Sequence, residues 1–263
     1  MIKAVFFDVD GTLVSFKTHK VSQGTLDAIK QMQAKNIKVF VATGRHPSIL
    51  YLGNNVDEIK FDGFVTLNGQ YCFTDKNEVI YEKHICKEDI ESIVKFIKEN
   101  DITCGFVEDK EMYLNQITDS VRNVLNSVNL PIPLITDISR AIHGKVFQLN
   151  PYIPVDFQDK FMEAMPNCEA TRWSPLFIDV IPAGGGKHVA IEKIMDYYGY
   201  SRDEIMAFGD GGNDIEMLTL AKYSFAVANA SQEVKNAAHY IIPSNAENGV
   251  LTAIEKIITG EIG

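Results

Sequence analysis

The fold class this sequence predicts is α/β: a doubly wound parallel sheet interrupted by a smaller α+β module. Three observations predict it. Short, continuously apolar runs alternate with segments of helical periodicity at both ends of the chain, that rhythm changes between residues 84 and 183, and it resumes after Gly184-Gly185-Gly186. With 263 residues, 46% of them hydrophobic, the chain can bury a sizeable core.

Ala4-Val5-Phe6-Phe7 contains no polar residue, which suits a strand covered on both faces. Residues 22–36 set Leu26, Ile29 and Met32 at three-residue steps behind Ser22, a residue type that caps helix N-termini, so a helix is predicted there. Val39-Phe40-Val41-Ala42 is a second buried strand, followed by the turn Thr43-Gly44-Arg45, a weaker helix over 47–55, and a third strand, Phe64-Val65-Thr66-Leu67, ending at Asn68-Gly69. Residues 71–74 and 79–82 flank Asp75-Lys76-Asn77 and read as a hairpin at the edge of this unit.

From residue 84 the pattern predicts a helix over 88–99, strands at 104–107 and 111–114, a helix over 119–126, a strand at 145–149, a helix over 155–165, and strands at 169–172 and 177–180, with Pro131 and Pro133 in the connections. After the triple glycine come helices over 187–198, 214–220, 232–238 and 246–258, alternating with strands at 205–208, 224–227 and 240–242. The simplest arrangement is one α/β domain made of residues 1–83 and 184–263, split by an inserted α+β domain of residues 84–183.

The formal charge is −10 and the isoelectric point near 5.1, so the overall field repels polyanions. Neither nucleic acid nor an anionic membrane is an expected partner, and any phosphate site must be local. Met1-Ile2-Lys3 runs straight into a strand, with no uncharged stretch of membrane-spanning length elsewhere, so a soluble cytoplasmic protein is expected. Cys72, Cys86, Cys104 and Cys168 are far apart and lack Cys-x-x-Cys spacing, which points to free thiols rather than a disulfide or a zinc site.

The chemistry concentrates in two acidic clusters. Asp8 and Asp10 follow the first strand, and Asp210 and Asp214 follow the run Met206-Ala207-Phe208 within Gly209-Asp210-Gly211-Gly212-Asn213-Asp214. Side chains two apart on a strand share a face, so Asp8 and Asp10 can converge as Gly11 lets the chain turn away. Crowded carboxylates repel, and a hard divalent cation such as Mg²⁺ relieves that repulsion. Both clusters would lie at carboxyl-terminal strand ends, where open α/β sheets bind ligands. Thr43 and Gly44 precede a helix start, where a hydroxyl and unpaired N–H groups can hold an anion. Lys187 follows three glycines at the start of another helix and could aim an ammonium at a phosphoryl oxygen. A nucleotide-type phosphate loop is excluded on spacing, because Ile181 stands where it needs glycine and His188 where it needs Ser or Thr.

Together these signatures resemble the haloacid dehalogenase superfamily of phosphotransferases. Asp8-Val9-Asp10-Gly11-Thr12-Leu13 matches the first motif of that family, Thr43 the second, Lys187 the third, and Gly209-Asp210-Gly211-Gly212-Asn213-Asp214 the fourth, in the family's order. The insert between the second and third motifs, and Asn68-Gly69, resemble the Cof-type class IIB bacterial sugar phosphatases. The resemblance implies a Rossmann-like catalytic core with an inserted α+β (class IIB) cap that supplies the leaving-group pocket. It also implies roles: Asp8 as nucleophile, Asp10 as acid and base, and Mg²⁺ on Asp8, the Asp10 carbonyl and Asp210. Thr43 and Lys187, with backbone N–H groups near Val9 and Gly44, would hold the phosphoryl oxygens. Asn213 would contact the phosphoryl group or a bound water, with Asp214 orienting Lys187 or supporting the metal shell.

For the leaving group, Arg172 and the adjacent Trp173 are the candidates, since Arg binds hydroxyls and an aromatic face packs on a sugar ring. The implied substrate is a small phosphorylated metabolite, foremost a hexose phosphate, with pyridoxal phosphate, flavin mononucleotide or nucleotides as alternatives. A phosphomutase shares the first chemical step, and a phosphometabolite-binding regulator would have no need for both Asp8 and Asp10. Oligomeric state is not legible in the sequence.

Overall fold

The computed structural model describes residues 1–50, 55–127, 131–172 and 174–262. The chain opens with β1 (Ala4–Phe7), α1 (Gln23–Ala34), β2 (Lys38–Ala42), β3 (Gly63–Thr66), β4 (Tyr71–Thr74) and β5 (Val79–Glu82). It continues through α2 (Lys87–Glu99), β6 (Cys104–Val107), β7 (Met112–Leu114), α3 (Asp119–Ser127), β8 (Leu134–Ile135), β9 (Gln148–Pro151), α4 (Gln158–Met162), β10 (Cys168–Thr171) and β11 (Asp179–Pro182). It closes with α5 (Lys187–Tyr198), β12 (Ile205–Gly209), α6 (Ile215–Leu220), β13 (Tyr223–Val227), α7 (Gln232–Ala237), β14 (Tyr240–Ile242) and α8 (Gly249–Ile258). Contacts divide it into two units: residues 1–45, 49–82 and 186–263, and residues 46–48 with 83–185.

The first unit is an eight-stranded sheet in the order β14-β13-β12-β1-β2-β3-β4-β5. Its first six strands are parallel, and the β4–β5 hairpin is added antiparallel at one edge. The hydrophobic run of β1 is buried at every position, as a strand covered on both faces requires. Phe7, Phe208 and Phe225 stack across three adjacent strands at 4.8 and 4.6 Å between ring centroids. Ser22 caps α1 by accepting the Thr25 N–H at 3.2 Å, and α1 packs on α8, while α5 packs on α6 and α6 on α7. From β1 the chain steps outward to β2 and β3, and it later returns to the other side of β1 through β12. The loops leaving β1 and β12 therefore diverge, which opens a crevice at their carboxyl ends.

The second unit is a six-stranded sheet in the order β10-β11-β9-β6-β7-β8, antiparallel except for the β7–β8 pair. Phe106, Leu149 and Val180 of this sheet pack with Ile90, Ile93 and Ile97 of α2 and Phe161 of α4 in a core of its own.

Several elements differ from the sequence expectation, and each difference has a local cause. The expected strand at 145–149 is displaced to β9, and that at 177–180 to β11. Val146, Phe147, Phe177 and Ile178 are buried without belonging to a strand, because an apolar run marks burial whereas the ladder follows the partner, Val107 facing Gln148 and Thr171 facing Asp179. The helix expected over 155–165 is a 3-10 turn, Val155–Phe157, followed by the short α4. Of the helix expected over 47–55 the structure shows a 3-10 turn at Pro47–Ile49, with a second turn, Val56–Glu58, just beyond it, and residues 51–54 lie outside the described residues. β8 is too short to show a periodic signal, and the 3-10 stretch Ile138–His143 is announced only by its cap, Asp137 accepting the Ser139 N–H. No helix among the described residues is long and apolar enough to cross a membrane.

Candidate active site

The register of β1 against β12 carries the two acidic clusters to the same crevice. Phe7 lies opposite Phe208, and the Asp8 N–H donates to the Phe208 carbonyl at 2.9 Å, so Asp8 and Asp210 emerge from neighbouring strand ends. Gly11 then turns the chain with a φ of +94°, a left-handed conformation that favours glycine, and a β carbon there would overlap the Asp210 carboxylate. Thr12, 198 residues from Asp210, donates its hydroxyl to Asp210 Oδ1 at 2.8 Å.

Lys187 enters from the first turn of α5. Its start is set by Gly69, whose φ is +92° and which packs so closely on the Gly186 carbonyl that no side chain fits. The fully buried Lys187 ammonium donates to Asp8 Oδ1 and to Asp214 Oδ1, both at 2.6 Å. Asp214 Oδ2 accepts the backbone N–H groups of Asp210 at 3.0 Å and Gly211 at 2.9 Å. Both Asp214 oxygens are thus committed, one to the Lys187 ammonium and the other to backbone N–H groups.

Asp8, Asp210 and Asp214 each present an oxygen within 4.8 Å of the others. One ammonium faces three carboxylates in a buried site, and burial dominates the proton affinities of Asp8 and Asp210. Burial raises the Asp8 pKa well above the usual carboxylate value; Lys187 opposes that, while Asp214 and Asp210 add to it. Burial likewise pushes Asp210 up to about 6, with the Thr12 hydrogen bond pulling the other way. For Lys187, burial alone would lower the pKa, and Asp214 and Asp8 more than reverse it, so the ammonium stays charged. All-oxygen donors, crowded and short of positive charge, fit a hard divalent cation.

Around this centre stands a second, linked set. Thr43 is buried at the end of β2, where its hydroxyl accepts the Arg45 N–H at 3.1 Å and its carbonyl accepts the Asn68 N–H at 3.1 Å. Asn68 has a φ of +54° and accepts the Asn213 side-chain amide at 2.9 Å. A β carbon at Gly44 would come within 2.9 Å of the Asn68 Oδ1, so a side chain there would push the Asn68 amide aside. The Asp10 carboxylate lies outside the Lys187 cluster and is gripped by Arg45, with Nε to Oδ2 at 2.8 Å and Nη2 to Oδ1 at 2.6 Å.

The structure therefore joins Asp8, Lys187, Asp210 and Asp214 directly, and links Thr43, Gly44, Asn68 and Asn213 to one another. Arg172 stands apart from this set. It belongs to the second unit, where its guanidinium holds Gln158 Oε1 at 3.0 Å and the carbonyls of Ser174 at 3.2 Å and Ile153 at 3.3 Å. These bonds tie its guanidinium to its own loop. Trp173 lies outside the described residues. Thr12 and Arg45 are the partners that sequence reasoning missed; Thr12 sits inside the Asp-x-Asp-Gly-Thr turn, whereas nothing in the sequence pairs Arg45 with Asp10.

A family model described as haloacid dehalogenase-like hydrolase matches residues 5–254. Among solved structures, the phosphatase BT1666 from Bacteroides thetaiotaomicron superposes with a TM-score of 0.88 at 36% identity, covering 97% of this chain and 94% of its own. The HAD subclass IIB sugar phosphatase BT4131 superposes with a TM-score of 0.83 at 34% identity, covering 97% of this chain and 98% of its own. The 5-amino-6-(5-phospho-D-ribitylamino)uracil phosphatase YbjI of Escherichia coli (strain K12) is 28% identical over an alignment of 283 positions, gaps included, that covers 99% of this chain and 97% of its own. A family match over nearly the whole length, joined to subclass IIB likeness in both sequence and fold, settles the assignment: the chain belongs to the haloacid dehalogenase-like hydrolases, as a Cof-type class IIB phosphatase acting on phosphoric monoesters.

Proposed function

We propose that the protein is a Mg²⁺-dependent phosphatase that hydrolyses small phosphate monoesters, foremost hexose phosphates, through an aspartyl-phosphate on Asp8. The observation that carries this reading is the convergence of Asp8, Asp210, Asp214 and Lys187 at the point where the sheet reverses direction. An Asp8 oxygen forms a bond to phosphorus as the bond from phosphorus to the alcohol oxygen breaks, and the Asp10 carboxyl gives its proton to that oxygen. Asp10, now a carboxylate, takes a proton from the water that attacks the phosphorus, which frees phosphate and regenerates Asp8. Lys187 and Thr43 neutralise and hold the non-bridging phosphoryl oxygens, with Gly44, Asn68 and Asn213 completing the rim.

The carboxylates of Asp8 and Asp210, with the Asp10 carbonyl, would hold the magnesium ion, which when bound supplies positive charge between an anionic nucleophile and an anionic substrate. Residues 1–83 and 184–263 are assigned as the catalytic core, and 84–183 as the cap that selects the alcohol. The sugar phosphatase named above supports a hexose phosphate, and the E. coli relative supports including a ribityl phosphate in any panel. A reducing cytoplasmic setting suits the free thiols and the phosphorylated metabolites proposed as substrates.

The test is release of inorganic phosphate from hexose 6-phosphates in the presence of Mg²⁺. Isomerised sugar phosphate without phosphate release would identify a phosphomutase instead. Asp8→Asn should abolish the activity, and retention of more than about a tenth of the wild-type rate, far above what loss of a nucleophile allows, would reject the assignment.

A further inference from the structure

We infer that Arg45 is a positioning residue, one that fixes the Asp10 carboxylate in the place from which it transfers protons; this rests on the reading of Asp10 as acid and base given above. Nε and Nη2 of one planar guanidinium meet Oδ2 and Oδ1 of Asp10 at 2.8 and 2.6 Å. Such a two-point contact sets both the position and the plane of the carboxylate, which a single donor cannot do.

The grip is itself anchored. Arg45 Nη1 donates to the Leu50 carbonyl at 2.8 Å, the Arg45 N–H donates to the Thr43 hydroxyl at 3.1 Å, and the Arg45 carbonyl accepts the Leu67 N–H at 3.1 Å. The Arg45 side chain is only 18% exposed, whereas that of Asp10 is 45% exposed and, among the described residues, directs its hydrogen bonds to Arg45 alone. Released from it, Asp10 would sample the staggered rotamers open to a half-exposed side chain, most of which point away from the leaving oxygen. A misplacement of about 1 Å can cost ~100-fold in rate. Nε, Nη1 and Nη2 each already make a bond within the protein, to Asp10 or to the Leu50 carbonyl.

A leaving-group comparison tests this. With glucose 6-phosphate, the departing alkoxide needs the Asp10 proton as the phosphorus–oxygen bond breaks; with p-nitrophenyl phosphate, a stable phenolate leaves without one. Because kcat/KM reports steps only as far as release of the alcohol, the later action of Asp10 on water does not enter. Arg45→Met should lower kcat/KM for glucose 6-phosphate at least tenfold more than for p-nitrophenyl phosphate, in the same sense as Asp10→Asn. Arg45→Lys, which keeps the charge but loses the two-point grip, should leave most of that bias in place, and its melting temperature shows whether the fold is intact.

An equal loss on both substrates, no loss on either, or full rescue by Arg45→Lys would overturn the inference. If Asp10→Asn shows the bias and Arg45→Met does not, the role of Asp10 stands and only the inference falls. If Asp10→Asn shows none, the role of Asp10 falls first and takes the inference with it.

Discussion

Replacing Lys187 with methionine removes the single cation from a buried acidic cluster while keeping the volume of the side chain. Lys187 holds Asp8 and Asp214 at 2.6 Å each, and its side chain is entirely inaccessible to solvent. Without it, three carboxylates within 4.8 Å of one another have no counter-charge. Like charges about 4 Å apart at an effective dielectric constant near 20 repel by roughly 4 kcal/mol per pair. The whole repulsion is not realised, because the carboxyls take up protons instead. Removing one partner from a buried ion pair costs about 3–5 kcal/mol, which for a chain of this size corresponds to a melting temperature lower by roughly 6–20 °C.

The loss should depend on pH with a definite sign. Asp8 and Asp210 already bind protons more tightly in the folded protein than in the unfolded chain. At pH 5 they neutralise readily and the penalty shrinks; at pH 8 both ionising and holding a proton against solvent cost free energy, so it is larger. Thermal unfolding of wild type and Lys187→Met in EDTA at both pH values measures this. Lys187→Met/Asp214→Leu, which also deletes a stranded carboxylate, should recover part of the loss. A penalty below about 1 kcal/mol at pH 8, or one as large at pH 5, would refute the reasoning.

Three further outcomes are expected. With divalent cations removed, stability should fall as pH rises from about 4 toward 6, the window in which folded Asp210 holds a proton that the unfolded chain has lost; Mg²⁺ should therefore raise the melting temperature more at pH 8 than at pH 5, and an equal rise at both would contradict this. Gly11→Ala places a β carbon against Asp210 at a φ of +94°, so it should destabilise the protein by about 1–3 kcal/mol and weaken Mg²⁺ binding in a calorimetric titration, whereas wild-type affinity would show that the turn adapts. Arg172→Ala should lower stability by about 1–3 kcal/mol through the carbonyls it leaves unpaired; a selective rise in KM for hexose phosphates, with stability intact, would identify it as a substrate ligand.

The sequence by itself determined the alternation of buried strands and helices around β1, β2, β3 and β12, because a strand covered on both faces has to be apolar throughout. It also determined the four signatures, three at the ends of such runs and Lys187 at a helix start behind a triple glycine, and their order along the chain was enough for the family resemblance. Only the tertiary structure decided who faces whom. The grip of Arg45 on Asp10, the hydroxyl of Thr12 on Asp210, and the commitment of both Asp214 oxygens arise from strand register and loop closure, which bring together residues 35, 198 and 27 apart in sequence. Arg172 shows the same for the second unit: the sequence offers an arginine beside an aromatic, and only the fold shows that carbonyls of its own loop surround its guanidinium. Residue type sets which hydrogen bonds a side chain can make, and the path of the backbone sets which of them it does make.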